Sequence, residues 1–181
     1  MTPVLAVAAD AAELGRMHVQ SWRETYPGLL PDSLLAGLDP VQRGARWAEI
    51  IATGCRLFVV RDAAGIVGFG SCGDQRAAEL PYSGEITALY VLRRAQRQGV
   101  GRRLMDVLAR DLAAAGHHSA ALWVMHGNDP AIRFYTALGG RPVAEKDNSH
   151  DGVTTRSIGY AWDDVTQLFH QQTGQPCATP V

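Results

Sequence analysis

Apolar residues recur at helical spacing between Asp10 and Tyr26, where Ala11, Leu14, Met17, Ser21 and Trp22 share one face. The pattern predicts a first helix with Asp10 as its N-cap and Pro27-Gly28 as its stop. Pro31 to Leu38 and Val41 to Ala52 read as a short and a longer helix, divided by Asp39-Pro40 and closed by Gly54. The period then changes. Arg56 to Arg61 and Ile66 to Cys72 are rich in aromatic and β-branched residues and flank Asp62-Ala63-Ala64-Gly65, which predicts a hairpin whose second strand is weakened by Gly68, Gly70 and Gly73.

Glu85 to Val91 is a further strand, and Val100, Leu104, Val107, Leu108 and Leu112 place a helix after it that ends at Gly116. Ala120 to Met125 follows as a strand, and the helical crossover requires the two strands to be parallel. A last helix is marked by Asp129 as N-cap, Pro130 at its first position and Gly139-Gly140 at its end. Arg141 to Glu145 and Thr154 to Trp162 complete the sheet, joined through a polar loop from Lys146 to Gly152. The class is mixed α/β, and residues 1–170 are expected to form one domain, with 171–181 a mobile tail.

Composition narrows the choice of chemistry. A chain of 181 residues with 46% hydrophobic content and a formal net charge of -1 suits one globular domain and gives no overall attraction to nucleic acid or an anionic membrane. Cys55, Cys72 and Cys177 are odd in number and far apart, which argues against a disulfide framework or a zinc site. His117, His118, His126 and His150 lack the spacing of a helical metal pair, so no metal is expected. The start of the chain resembles neither a signal peptide nor a membrane span, and a cytoplasmic protein is expected.

The most informative stretch is Val91 to Arg102, which joins a strand to a helix through Gly99 and Gly101. A helix start presents unpaired N–H groups and the positive end of the dipole, so this turn suits a pyrophosphate. Arginines 93, 94, 97, 102 and 103 add local positive charge for a polyanion. A dinucleotide fingerprint would need a third glycine where Leu104 stands, and no Gly-x-x-x-x-Gly-Lys-Ser/Thr sequence occurs. Coenzyme A is the leading polyanion.

Gln96-x-x-Gly99-x-Gly101 after Ile86 to Val91 resembles motif A of the GCN5-related N-acetyltransferase (GNAT) family. Asn128 to Tyr135 followed by Gly139 resembles that family's Asn-x-x-Ala-x-x-Phe-Tyr-x-x-x-Gly segment. The match is close over residues 85 to 142, with two departures: Arg93 stands where the family often has proline, and Gly140 where it often has phenylalanine. The resemblance implies a mostly antiparallel central sheet flanked by helices, with a parallel strand-helix-strand unit for acetyl-CoA. It implies that Leu89, Tyr90 and Val91 meet the pantetheine arm, that Gln96, Arg97, Gln98, Gly99, Val100, Gly101 and Arg102 surround the pyrophosphate, and that Asn128, Ala131 and Tyr135 complete the pocket.

Acetyl transfer to an amine needs a neutral nucleophile, a donor for the developing oxyanion and an acid for the departing thiolate. A lysine-like amine with a pKa of about 10.4 is only about one part in a thousand neutral near pH 7.4, a cost of roughly 4 kcal/mol, so a base or water path is valuable. The resemblance makes Glu85 the candidate base, through a raised pKa or a water chain, Tyr135 the general acid and the Val91 N–H the oxyanion donor. Ala131 and Tyr135 share a helix face, next to an apolar Phe134-Leu138 pair, and this predicts that Tyr135 points away from the core.

The stretch Ser21 to Asp32 resembles the first helix and loop of a subgroup that includes polyamine acetyltransferase-like proteins. Trp22 and Tyr26 are candidates for an aromatic wall around a cationic acceptor, with Glu24 or Asp32 as counter-charge. The expected partner is a small-molecule or peptide amine, and a homodimer is left open. The rival reading is a coenzyme A-binding sensor or interaction module without turnover.

Overall fold

A computed structural model describes residues 1–150 and 153–169, with the side chains of 149 and 150 excepted. Asp151, Gly152, the His150 side chain and residues 170–181, with the expected tail and Cys177, therefore lie outside the described residues. In chain order the elements are β1 (Val4–Leu5), α1 (Ala11–Thr25), α2 (Asp32–Ala36), α3 (Pro40–Ala52), β2 (Arg56–Asp62), β3 (Gly65–Asp74), β4 (Gly84–Val91), α4 (Val100–Ala114), β5 (Ala120–Met125), α5 (Asp129–Ala137), β6 (Arg141–His150) and β7 (Val153–Trp162). Among these residues the strands form one seven-stranded sheet in the order β1-β2-β3-β4-β5-β7-β6. Every neighbouring pair is antiparallel except β4 and β5, which are parallel as the helical crossover requires.

Helices cover both faces of the sheet. Val100, Leu104, Met105, Leu108 and Leu112 of α4 are buried against Val60, Val67, Cys72, Ile86 and Leu122, and α5 packs on the same side. Each fully buried leucine contributes roughly 1.5–3 kcal/mol. The opposite face carries Leu14 and Met17 of α1 with Trp47 of α3, packed on Leu57, Val59, Ile66 and Phe69. Gly68 and Gly70 serve this arrangement rather than simply weakening β3. A β-carbon at Gly70 would lie 2.7 Å from Leu108 Cδ1, and one at Gly68 would lie 3.0 Å from Val100 Cγ1, so α4 sits directly on their backbone.

The structure corrects several sequence expectations. The stretch from Lys146 is not a loop. Residues 146–150 continue β6, because cross-strand partners replace apolar burial: Arg156 donates to Asp147 Oδ1 at 3.1 Å and Asn148 Nδ2 to Ser157 Oγ at 2.8 Å. Asn128, not Asp129, caps α5, its side chain accepting from the Ala131 N–H at 3.4 Å. Asp10 makes no cap bond to α1, because its carboxylate accepts from the Val7 N–H and from Arg61 instead. β1 gives no pattern of its own and exists through pairing with Phe58 and Val59.

Candidate active site

Strands β4 and β5 pair only at Gly84–Ala120 and Glu85–Ala121, then separate. A bulge at Thr87 marks the divergence, where β4 slips against β3 between Ser71 and Cys72. Burial follows the opening: Gly84, Glu85 and Ile86 are buried, whereas Thr87 to Val91 are half-buried although they lie on a central strand.

Main-chain direction on the open edge follows from one bond. The Leu92 N–H donates to the Val67 carbonyl at 2.8 Å, toward β3. Polar groups alternate sides along a strand, so those of Leu89 and Val91 face the gap. The Val91 carbonyl is taken by Gln96 Nε2 at 3.1 Å, which leaves the Val91 N–H and both groups of Leu89 directed into the split. Tyr90 turns its ring to the α1 face, against His18 and Phe69.

Beyond β4 the chain folds into a turn whose Arg97 and Gly99 have φ of 62° and 74°. Left-handed residues in such a turn point successive N–H groups inward, and Gly99 takes this conformation without a Cβ penalty. Gly99 is also the N-cap of α4 with no side-chain cap, so the N–H groups of Val100, Gly101 and Arg102 have no intrahelical partner, and the next bond runs from Arg103 to Gly99. Gly101 packs on the Phe134 ring of α5, where a β-carbon would come within 3.2 Å.

Most of the arginines are engaged within the fold. Arg94 is ion-paired with Asp62, Arg102 donates to the Phe169 carbonyl, Arg103 donates to the Gln98 carbonyl, and Arg93 donates to the Glu24 carbonyl. Gln98 reaches back to the Arg94 carbonyl. Arg97 makes no hydrogen bond or ion pair among the described residues. The Arg93 N–H donates to Glu24 Oε2 at 2.7 Å, a bond that proline at this position would forbid.

Tyr135 is 7% exposed and is the buried residue of α5, contrary to the expectation that it points away from the core. Its ring lies against Tyr160 and Trp162 of β7, which the spacing within α5 does not reveal. Burial, and next the neighbouring Tyr90, push its phenol above the usual range. Tyr26 is raised in the same way, by burial first, then by the neighbouring Tyr90 and by Tyr135. Three tyrosines from α1's end, β4 and α5 thus meet at the split. Ala131 is half-buried and packs against the α4-side core.

On the α1 side the Arg43 guanidinium lies over the Trp22 ring, 5.4 Å from its centroid. Trp22 and Tyr26 stack edge to face within an apolar cluster with Leu30 and Leu35. Glu24 is held by Arg93 and Gln20, and Asp32 is the exposed first residue of α2. Leu29 of the α1–α2 loop reaches Gly127 after β5, so this loop spans the split.

Glu85 is 5% exposed and is clamped by Arg76, whose Nε and Nη2 each donate at 2.9 Å and whose main-chain N–H adds a third bond at 3.2 Å. Both residues line a cleft of about 510 Å³ with Glu79, Trp123 and Lys146. Sequence reasoning missed Arg76, Trp123 and Lys146. The period-two set Ala121, Trp123, Met125 on β5 was a signal for Trp123, whereas Arg76 sits in the β3–β4 connection, which shows no pattern. No group of His, Cys, Asp or Glu suited to a metal ion occurs among the described residues. No helix among them is long and apolar enough to cross a membrane.

Comparison with known proteins agrees with this geometry. Residues 17–139 match the Acetyltransferase (GNAT) family. The chain is 36% identical over 160 residues to YuaI of Bacillus subtilis (strain 168), named an uncharacterized N-acetyltransferase, covering 88% of this chain and 91% of that protein. It superposes on YncA of Salmonella typhimurium, solved with its cofactor acetyl-CoA, with a TM-score of 0.67 at 22% identity, covering 98% and 99% of the two chains. PaiA N-acetyltransferase of Thermoplasma acidophilum, in complex with coenzyme A, gives a TM-score of 0.65 at 15% identity, covering 87% and 98%.

Proposed function

Because the chain belongs to the Acetyltransferase (GNAT) family and is an acyl-CoA-dependent acetyltransferase, we propose that it acetylates a primary amine of a small molecule or peptide by direct attack in a ternary complex. The observation that carries this reading is the split between β4 and β5. Unpaired groups of Leu89 and Val91 line it, the inward-facing amides of the α4 turn stand at one end, and the Tyr135 phenol is beside it.

The residues present fit acetyl-CoA. The open edge of β4 suits the amide-bearing pantetheine arm, and the N–H groups from Arg97 to Arg102 suit the diphosphate, with Arg97 available as a cation. Asn128 orders the start of α5 so that Ala131 and Tyr135 complete the pocket. Acetyl-CoA supplies an activated acyl carbon and a thiolate leaving group.

The Val91 N–H then serves as donor to the oxyanion, in a position set by the β3 ladder on the other side of the strand. Tyr135 keeps its proton across the neutral range, because burial disfavours phenolate, and acts by hydrogen-bonding the sulfur. Glu85 stands on the far face of the split and takes the amine's proton through water in the cleft. Arg76 is 69% exposed at its side chain, so it can yield a carboxylate oxygen as the acceptor arrives.

Purified protein mixed with acetyl-CoA and a panel of polyamines, aminoglycosides, amino acids and peptide N-termini tests the proposal through thiol release. Turnover on at least one class supports it. Binding of acetyl-CoA without turnover on any amine would favour a sensor.

A further inference from the structure

The cleft beside Glu85 lies on the face opposite α4. Glu85 is in register with Ala121, and Ala121 packs with Leu80 and Ala161 away from the α4 core. This cleft therefore opens at the floor of the split, from the side that the cofactor turn does not occupy. An amine can approach the acyl carbon from here without crossing the nucleotide.

Its hydrogen-bonding inventory is unbalanced. Both Glu85 oxygens are taken by Arg76. Gln75 Oε1 accepts from the Arg76 and Ala77 N–H groups, while its Nε2 is buried without a partner. The Trp123 indole N–H is also buried without a partner. Lys146 places its Nζ 4.1 Å from the Trp123 ring centroid and has no carboxylate within ion-pair reach among the described residues. Buried donors are almost always satisfied, so the buried Trp123 N–H, in the cleft lining beside the half-buried Lys146 ammonium, implies a ligand that brings an acceptor.

Charge narrows the ligand further. Arg76 and Glu85 neutralise each other as an ion pair, which leaves Lys146 and Glu79 as the remaining charges of opposite sign in the lining. A polycation gains nothing from such a surface. The face of Trp123 that would stack on a cationic acceptor is already covered by the Lys146 ammonium. A zwitterion satisfies both signs.

We propose that the acceptor carries a carboxylate beside its amine, as a free α-amino acid does, and that Lys146 together with the Trp123 indole N–H receives this carboxylate. The inference rests on the acetyl-transfer reading for its chemistry. A charge-assisted hydrogen bond of this kind corresponds to about tenfold in affinity. Lys146 places its ammonium over the Trp123 ring, and Lys146→Met removes the charge while keeping an unbranched side chain there.

Thiol-release kinetics with free α-amino acids, their carboxamides and spermidine test the proposal, on the native protein and on K146M. The native protein is expected to prefer an acid over its amide by about tenfold or more in kcat/KM, and K146M to lose that preference. The ratio is measured on one protein at a time, so partial loss of folded K146M cancels. Equal use of amides, better use of spermidine, or an unchanged ratio in K146M would overturn it.

A second measurement does not depend on turnover. The indole N–H resonance of Trp123, identified by its loss in Trp123→Phe, is expected to shift when amino acids but not their amides are added, and to stay fixed in K146M. No shift in the native protein overturns the carboxylate seat. A shift without transfer to any amine sinks the acetyl-transfer reading and leaves the seat standing.

Discussion

Arg76 and Glu85 form a two-pronged ion pair, with Nε and Nη2 each 2.9 Å from a carboxylate oxygen, at the point where β4 leaves β5. The pair tests what Glu85 does. If Glu85 takes the amine's proton, Glu85→Gln lowers kcat by about a hundredfold. Arg76→Ala frees the same oxygens and lowers kcat far less. A purely structural pair would make the two variants fall together, so steady-state kinetics of both decide the role.

Tyr135 is buried against Tyr160 and Trp162, with its phenol pushed up by burial and by Tyr90. Removing the hydroxyl leaves that packing in place. Tyr135→Phe is expected to lower kcat by about a hundredfold while the affinity for acetyl-CoA changes little, which calorimetry and thiol release measure separately. An unchanged kcat would remove the hydrogen bond to sulfur from the mechanism.

Gly140 replaces a residue that is often aromatic in the family, and the Trp162 indole fills the space. A β-carbon there would lie 2.6 Å from Trp162 Cζ2 and 3.0 Å from the Tyr135 carbonyl. Trp162 is 1% exposed and held by its bond to the Leu138 carbonyl at 2.9 Å, so it has little room to move. Gly140→Ala should cost about 1–3 kcal/mol in urea unfolding. A neutral substitution would mean that the indole relaxes.

His18 accepts the Trp47 indole N–H at 3.0 Å and is packed among Trp22, Phe69 and Tyr90. Burial, and next Arg43, lower its pKa from 6.5 to about 3. Between these values the unfolded chain binds the extra proton. Its contribution is therefore complete above pH 6.5 and is lost as pH falls, by about 1.4 kcal/mol per pH unit. Unfolding midpoints between pH 6.5 and 5 should decline more steeply for the native protein than for His18→Gln. Parallel slopes would contradict this.

Much of the fold could be read from the chain because its signals are local. Asp39-Pro40 at the start of α3, the apolar spacing of α4 and the two glycines after Leu138 each act within a few residues. What escaped depends on partners distant in sequence. The polar end of β6 is a strand only because Ser157 and Arg156 lie across from it, and Tyr135 is buried only because β7 supplies Tyr160 and Trp162. The turn before α4 was legible from Gly99 and Gly101, but the internal engagement of Arg94, Arg102 and Arg103 was not. The cleft beside Glu85 was the least legible part. Trp22 and Tyr26 pack inward, while Arg76 and Lys146 reach the cleft from a connection and an edge strand.

A crystal structure of the protein with acetyl-CoA tests the central claim most directly. The account predicts the diphosphate within hydrogen-bond reach of the N–H groups from Arg97 to Arg102, and the thioester between β4 and β5 beside the Tyr135 hydroxyl. Density for the nucleotide at any other place on the molecule, or a split closed by β4–β5 pairing, would contradict it.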